Sequence, residues 1–272
     1  EPGETADDDT FARQLAALCD VYVNDAFGAA HRAHASVHAL PRMVKERAAG
    51  YLMLKELDYL GKLMTGAAKP FVAVLGGAKV SDKIGVVDSL LQRVDKLLVG
   101  GAMAYTFLAA QGVTLGKSRI ESDKIQLAHR TLLKAESRKV EIVLPTDHVT
   151  VTDVSVDAPS AIFGNGNFPE DGIAVDIGPA TAERFASHLA GARTVFWNGP
   201  MGIFEMEPFA HGTMRVAQAV AHCSGRSIVG GGDSVAALKK SGFLPFVDHV
   251  STGGGASLEF LQGKDLPGVE AL

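Results

Sequence analysis

The sequence predicts an α/β protein built on a doubly wound parallel sheet with helices on both faces. Short runs rich in β-branched and other apolar residues recur along the chain, each leading into a Gly-, Asn- or Pro-rich junction and then an amphipathic stretch. These runs are apolar almost throughout, which is the pattern of strands covered on both faces. The 30 glycines and 11 prolines are spread between the runs, so they read as many tight turns.

Asp9 to Leu18 reads as a helix, Val21-Tyr22-Val23 as a strand and Asn24 to Gly28 as a loop, followed by His31-Arg32-Ala33-His34-Ala35-Ser36. One strand cannot make a sheet, so this opening segment is expected to need strand partners that the chain does not contain. Ala49 to Leu63, with Leu52, Leu54, Leu57, Leu60 and Leu63, reads as a connecting helix. Phe71 to Leu75 then leads into Gly76-Gly77-Ala78-Lys79 and a helix over Ile84 to Val94. Lys96 to Val99 leads into Gly100-Gly101 and a helix over Met103 to Ala110. Val140 to Leu144 runs into Pro145, and Thr194 to Trp197 into Asn198-Gly199-Pro200. Ser227 to Val229 leads into Gly230-Gly231-Gly232-Asp233 and a helix over Ser234 to Lys240. The expected division is a remnant of a second α/β domain at 1–48, an interdomain helix at 49–66 and the main domain at 67–250. A Gly-rich hinge and closing segment, 251–272, returns toward the first part. In a parallel sheet ligands bind beyond the carboxyl ends of the strands, where these glycines gather.

A chain of 272 residues holds one large or two modest domains, and 47% hydrophobic residues supply a substantial core. The net charge of -5 offers no basic field for nucleic acid or an anionic membrane, whereas a local cationic cluster can still hold a small anion. Cys19 and Cys223 are far apart with no CxxC, so neither a disulfide scaffold nor a zinc ribbon is expected, and a reducing compartment is. No apolar run reaches the roughly 18 residues of a membrane span, and Glu1-Pro2-Gly3-Glu4 reads as neither a signal nor a transit peptide. A cytoplasmic protein is expected.

Three motifs have bland explanations. Gly112-Val113-Thr114-Leu115-Gly116-Lys117-Ser118 has one residue too few for a phosphate-binding P-loop and follows a helix, so it reads as a surface loop. Gly232-Asp233-Ser234-Val235-Ala236 resembles a nucleophile elbow, but mainly His249 follows to act as base, which argues against a hydrolase. His34 and His38 have helical i, i+4 spacing without an acidic third ligand, so zinc gives way to a helix N-terminal region carrying Arg32.

The glycine clusters weigh more. Gly230-Gly231-Gly232 and Gly253-Gly254-Gly255 each follow a strand and precede a helix, where bare backbone N–H groups and helix N-termini attract anions. A tight turn explains either cluster alone, but not readily both together with Gly76-Gly77 and Gly100-Gly101. Asp233 could cap its helix, yet beside three glycines a carboxylate that shares a phosphate through a divalent cation is the better reading. Lys79 and Lys83 frame a helix start, where cations oppose the dipole unless an anionic ligand offsets them. Glu205 is a surface acid or a ribose-hydroxyl acceptor, and spacing does not decide between them.

These motifs resemble the phosphoglycerate kinase family. The resemblance rests on Val21 to Gly28 with His31 to Ser36, on Leu75 to Ile84, on Trp197 to Pro200 and on Gly230 to Ser234. Ser251 to Ser257 and the closing Leu266-Pro267-Gly268-Val269 complete the set, in the family's order from about residue 3 onward. The resemblance implies reversible phosphoryl transfer from 1,3-bisphosphoglycerate to ADP, with Mg2+, in a protein monomeric when full length. It implies that Arg32 binds the phosphoglycerate phosphate, Lys79 stabilises the moving phosphoryl group and Lys83 holds nucleotide phosphates. Gly77 would bind the nucleotide, Gly100, Gly101 and Pro200 would line the adenine pocket, Glu205 would take the ribose hydroxyls, and Asn198 would sit near the phosphates. Gly231, Gly232, Asp233 and Ser234 would bind phosphates, with Asp233 on the metal, and Gly253, Gly254 and Gly255 would offer amides to the phosphoryl group. The family's first domain has little counterpart here, and Arg32 alone of its substrate-binding arginines has a matching position. An incomplete substrate site is therefore expected, leaving an isolated Mg-nucleotide-binding module or an inactive partial product as alternatives.

Overall fold

The computed structural model describes residues 1–272, which separate into two compact units: 1–66 with 251–272, and 67–250.

The first unit opens with α1 (Pro2–Thr5) and α2 (Asp9–Ala16), where the Asp8 side chain accepts from Phe11 N at 2.7 Å and caps the helix. Strand β1 (Val21–Asn24), helix α3 (Ala39–Met43) and strand β2 (Glu46–Ala49) follow. The two strands pair in parallel, from Val21 opposite Glu46 to Asn24 opposite Ala49, which corrects the expectation that β1 lacks a partner within the chain. Glu46-Arg47-Ala48-Ala49 is largely exposed and has neither an apolar run nor an alternation, so its strand carries no periodic signal. For the same reason α4 (Tyr51–Thr65) begins after the strand rather than at Ala49. His34 and His38 do not share a helix face: His34 lies in irregular chain just before a turn and His38 at the N-terminal boundary of α3, with Nδ1 2.5 Å from Asp7 Oδ2.

The second unit runs through β3 (Phe71–Leu75), α5 (Ile84–Leu90), β4 (Lys96–Val99), α6 (Gly101–Ala110), α7 (Ile125–Ser137) and β5 (Glu141–Val143). Then come β6 (Asp147–Val151), β7 (Ala161–Gly164), β8 (Ile173–Ile177) and α8 (Pro179–Ala190). It closes with β9 (Thr194–Asn198), α9 (His211–Ala221), β10 (Arg226–Gly230), α10 (Gly232–Ser241) and β11 (His249–Val250). The chain returns to the first unit with α11 (Gly255–Leu261) and α12 (Pro267–Glu270).

The main sheet is parallel throughout, in the order β11-β10-β9-β3-β4-β5. Because strand side chains alternate, one face presents Val72, Val74, Leu98, Val195, Trp197 and Val229, all buried against Phe185, Leu189, Val216 and Val220 of α8 and α9. The alternate set, including Phe71, Leu75, Leu97, Val99, Phe196 and Ile228, is buried as well, which explains the unbroken apolar runs. Chain order reverses between β3 and β9. A right-handed crossover sends successive helices to opposite faces there and leaves a crevice at the strands' carboxyl ends.

A second sheet, antiparallel and ordered β7-β6-β8, has no counterpart in the sequence reading. Its register slips between Val149 and Thr150, which face Asp176 and Ala174, so Val175 is an extra residue whose carbonyl accepts from Ile203 N at 2.9 Å. Asp147 of β6 accepts from Ala180 N (2.9 Å) and Thr181 N (2.8 Å), satisfying amides that the N-terminus of α8 leaves free.

Asp176 of β8 is fully buried, with Oδ1 accepting from Ile177 N (2.9 Å) and Oδ2 from Gly212 N (2.7 Å). Burial pushes its carboxyl up to about 8, against the pull of those two amides. A carboxyl raised from 3.8 in the unfolded chain binds more protons folded, so its stabilisation is complete below the unfolded value and fades as pH rises through about 8. Asp176→Asn should flatten the decline in stability between about pH 5 and about pH 8 in urea denaturation. It should also lower absolute stability, because the amide nitrogen then faces an N–H donor. A variant that keeps the wild-type slope would show that Asp176 is ionised throughout.

Candidate functional site

Within the second unit, the ends of β3, β4 and β9 meet backbone to backbone. Gly76 N donates to Asn198 O (3.0 Å), Gly77 N to Pro200 O (2.9 Å), Gly101 N to Met201 O (3.0 Å) and Met103 N to Gly77 O (3.0 Å). Two glycines make this approach possible. A Cβ on Gly76 would lie 2.1 Å from Pro200 O, and one on Gly101, which has φ +65°, would lie 2.5 Å from Gly77 N.

Beside this junction opens a cleft of about 480 Å³. Gly77, Gly101, Pro200, Glu205 and Asp233 line it together with Tyr105, Arg119 and apolar residues that include Val154, Ile173 and Val175. Of the residues singled out in sequence, Gly77, Gly101, Pro200, Glu205 and Asp233 therefore line one cavity. Gly100 does not; it stands behind, against Met201 Sδ. Asn198 and Ser234 are buried in the wall, where Asn198 Nδ2 donates to Gly230 O (2.8 Å) and Ser234 Oγ accepts from Gly199 N (2.5 Å).

Asp233 lies in the first turn of α10 but does not cap it: Gly231, at φ +92°, takes the cap position, and no side chain closes the end. The Asp233 carboxylate is exposed and accepts no hydrogen bond from the protein. Lys83 is half-buried and donates to Asn198 Oδ1 and, at 3.3 Å, to Asn198 O. Lys79 is exposed and forms no ion pair. Its loop is held by Glu121, which accepts from Val80 N (2.5 Å), Ser81 N (3.2 Å) and Ser81 Oγ (2.6 Å). Sequence reading did not single out Glu121, since nothing in the order of residues joins it to a loop forty positions earlier.

Arg32 and Gly253 to Gly255 belong to the first unit. Arg32 is exposed, with Nε donating to His31 Nε2 at 3.4 Å, and the same His31 atom lies 3.2 Å from where a Cβ on Gly255 would stand. The turn is pinned by Glu56 Oε1, which accepts from Thr252 N (2.5 Å) and Thr252 Oγ1 (2.8 Å).

The phosphoglycerate kinase family model matches residues 1–264. This chain belongs to the phosphoglycerate kinase family. It is 57% identical over 271 residues to the phosphoglycerate kinase of Acidobacterium capsulatum, covering 99% of the chain and 67% of that protein. To that of Moorella thermoacetica it is 55% identical, covering 100% and 69%. The solved phosphoglycerate kinase of Coxiella burnetii superposes with a TM-score of 0.95 at 42% identity, covering 99% of this chain and 69% of that one. That of Pyrococcus horikoshii superposes with 0.84 at 34%, covering 96% and 65%. The chain thus spans about two thirds of the length of these relatives. Family membership makes it a kinase whose substrates are a nucleotide and a phosphoglycerate, and no helix is long and apolar enough to cross a membrane.

Burial holds the Lys83 ammonium down to about 8, partly offset by the Asp233 and Asp82 carboxylates. A polyphosphate bound beside it would favour the charged form. Nucleotide affinity should therefore be level below about pH 8 and fall above it, by up to about tenfold per pH unit. Calorimetric titrations at increasing pH would measure this, and a level affinity up to about pH 9.5 would refute it.

Proposed function

We propose that the enzyme carrying this chain transfers a phosphoryl group from the acyl phosphate of 1,3-bisphosphoglycerate to ADP, giving 3-phosphoglycerate and ATP, with a carboxyl group as acceptor in reverse. The observation that carries this is one cavity uniting glycine backbone, a free carboxylate and an apolar slot, with an unpaired lysine on the loop that borders it. The attacking oxygen of ADP is already anionic and the departing carboxylate is a weak base, so no general base is required. The work left to the protein is alignment and neutralisation of charge.

The roles divide accordingly. Gly77, Gly101 and Pro200 shape the nucleotide pocket, with Gly100 and Asn198 supporting it, and Glu205 accepts from the ribose hydroxyls. Lys83 and the start of α10, with Gly231, Gly232 and Ser234, hold the phosphates. Lys79, whose charge no carboxylate offsets, stabilises the group in transfer. Arg32 binds the phosphoglycerate phosphate, and Gly253, Gly254 and Gly255 present amides to the phosphoryl group. Magnesium takes one or two carboxylates and completes its shell with phosphate oxygens and water, which suits the exposed, unbonded Asp233. Bound there, the ion would neutralise the polyphosphate charge. A monomer in the cytoplasm completes the proposal, supported by a cleft lined from one unit and by Cys19 and Cys223 as free thiols.

A second reading is a Mg-nucleotide-binding module without transfer, favoured by a cleft that draws only on residues between Gly77 and Asp233. Titration with MgADP tests what both readings share, and absence of heat at millimolar nucleotide counts against both. Production of ATP from 1,3-bisphosphoglycerate separates them. Lys79→Ala should lower kcat by about 100-fold or more while leaving the thermal midpoint in place, as for loss of one preorganised donor. Unchanged turnover would remove Lys79 from the mechanism. Asp233→Asn should weaken MgADP more than metal-free ADP, and equal weakening of the two would take the ion away from Asp233.

A further inference from the structure

The side chain of Lys79 has nothing of its own to hold it. It is exposed and without an ion pair, and the loop that carries it runs through bends and turns between β3 and α5. Where its ammonium stands is therefore decided by its backbone. On one side Gly77 is bonded at both ends, its N donating to Pro200 O (2.9 Å) and its O accepting from Met103 N (3.0 Å). On the other side stands Glu121, from the loop between α6 and α7. Its Oε2 accepts from Val80 N at 2.5 Å and from Ser81 N at 3.2 Å, and its Oε1 from Ser81 Oγ at 2.6 Å. The helix that follows, α5, has no side-chain cap of its own, so Glu121 is the group that steadies the turn leading into it.

The Val80 amide belongs to the peptide that joins Val80 to Lys79. A peptide unit is planar, so a bond to that N–H fixes a plane that contains the Lys79 Cα. Between the two anchors lie Ala78 and Lys79 alone. Both anchors refer to one helix. Met103 and Thr106 stand three residues apart on α6, and the buried Thr106 accepts through Oγ1 from Glu121 N at 3.1 Å. The same helix supplies Ala102 and Tyr105 to the cleft. We infer that Glu121 is a positioning residue for the phosphoryl transfer, holding the Lys79 backbone so that the ammonium meets the group in flight. The inference rests on the role proposed for Lys79 and adds the residue through which that role is kept. Lys83 has its own tie, to Asn198, so nucleotide binding does not depend on Glu121 in the same way.

Steady-state kinetics of the enzyme carrying this chain, with single and double substitutions at Glu121 and Lys79, test it. Glu121→Ala should lower kcat by about tenfold or more, as small misplacements of a reacting group do, while the dissociation constant of MgADP moves by less than about twofold. In the Lys79→Ala background the same substitution should lower kcat by less than about twofold, because the group it positions is gone. Glu121→Gln keeps the length of the side chain and one acceptor oxygen but turns an amino group toward N–H donors, so its kcat should fall between the two. The cycle is repeated with that variant, so that a lowered thermal midpoint in Glu121→Ala does not decide the outcome. A kcat within about twofold of wild type in both Glu121 variants, or a loss that multiplies with that of Lys79→Ala, overturns the inference and leaves Lys79 in the mechanism. So does a weakening of MgADP in step with kcat, which would mark a general loosening of the cleft. Unchanged turnover in Lys79→Ala overturns the role of Lys79 and this inference together.

Discussion

The contact on which the rest of the second unit depends is made between backbones. Where β3, β4 and β9 end, Gly76, Gly77, Gly101 and the Asn198–Met201 turn are linked by main-chain hydrogen bonds of 2.9–3.0 Å. Such closeness leaves no room for a Cβ at Gly76 or Gly101, so side chains are excluded from the junction and its backbone stays bare. The junction also sits where chain order reverses across the sheet, the one position at which helices diverge to opposite faces and leave space between their ends. Packing beneath it is correspondingly rigid. Trp197, fully buried, donates from Nε1 to Gly199 O at 2.8 Å, so the core holds the turn as well as the strand.

Charge is distributed around this junction with a clear division. Some charged groups are bonded within the protein: Lys83 to Asn198, Glu121 to the 80–81 backbone, Asp176 to two amides. Others are left open: Lys79, Asp233 and Arg119 have no protein partner and are exposed. An internally paired charge loses little when the site is empty, whereas an open one keeps its full field for the incoming anion or metal. The same division holds in the first unit, where Glu56 is spent on Thr252 while Arg32 has only a long contact to His31.

Much of the site was legible in the residues because its chemistry is local. Glycines after apolar runs mark the carboxyl edge of the sheet, and Asp233 stands out as a carboxylate beside three glycines; Gly77, Gly101 and Asp233 do line one cavity. Asp233 is also where the competing cap reading fails, since Gly231 at φ +92° starts the helix instead. The lining residues Tyr105, Val154, Ile173 and Val175 were not legible. They come from a core helix, from the loop after β6 and from the bulged strand β8, and each looks like ordinary packing until the elements are assembled. Arg119 was not singled out in the sequence; it follows the Gly112–Ser118 loop, and the flanking Ser118 and Glu121 tie that segment to β8 and α6.

By itself the sequence determined the family and the parallel sheet, and it marked the glycine-rich edge of that sheet, because buried strands need unbroken apolar runs and close backbone approach needs glycine. It could not determine that Glu46 to Ala49 would pair with Val21 to Asn24, that the 147–177 segment would fold as a separate antiparallel sheet, or which glycines would face the cleft. Those outcomes depend on contacts between residues distant in sequence, whose energies no local period records. Only the tertiary structure decides them.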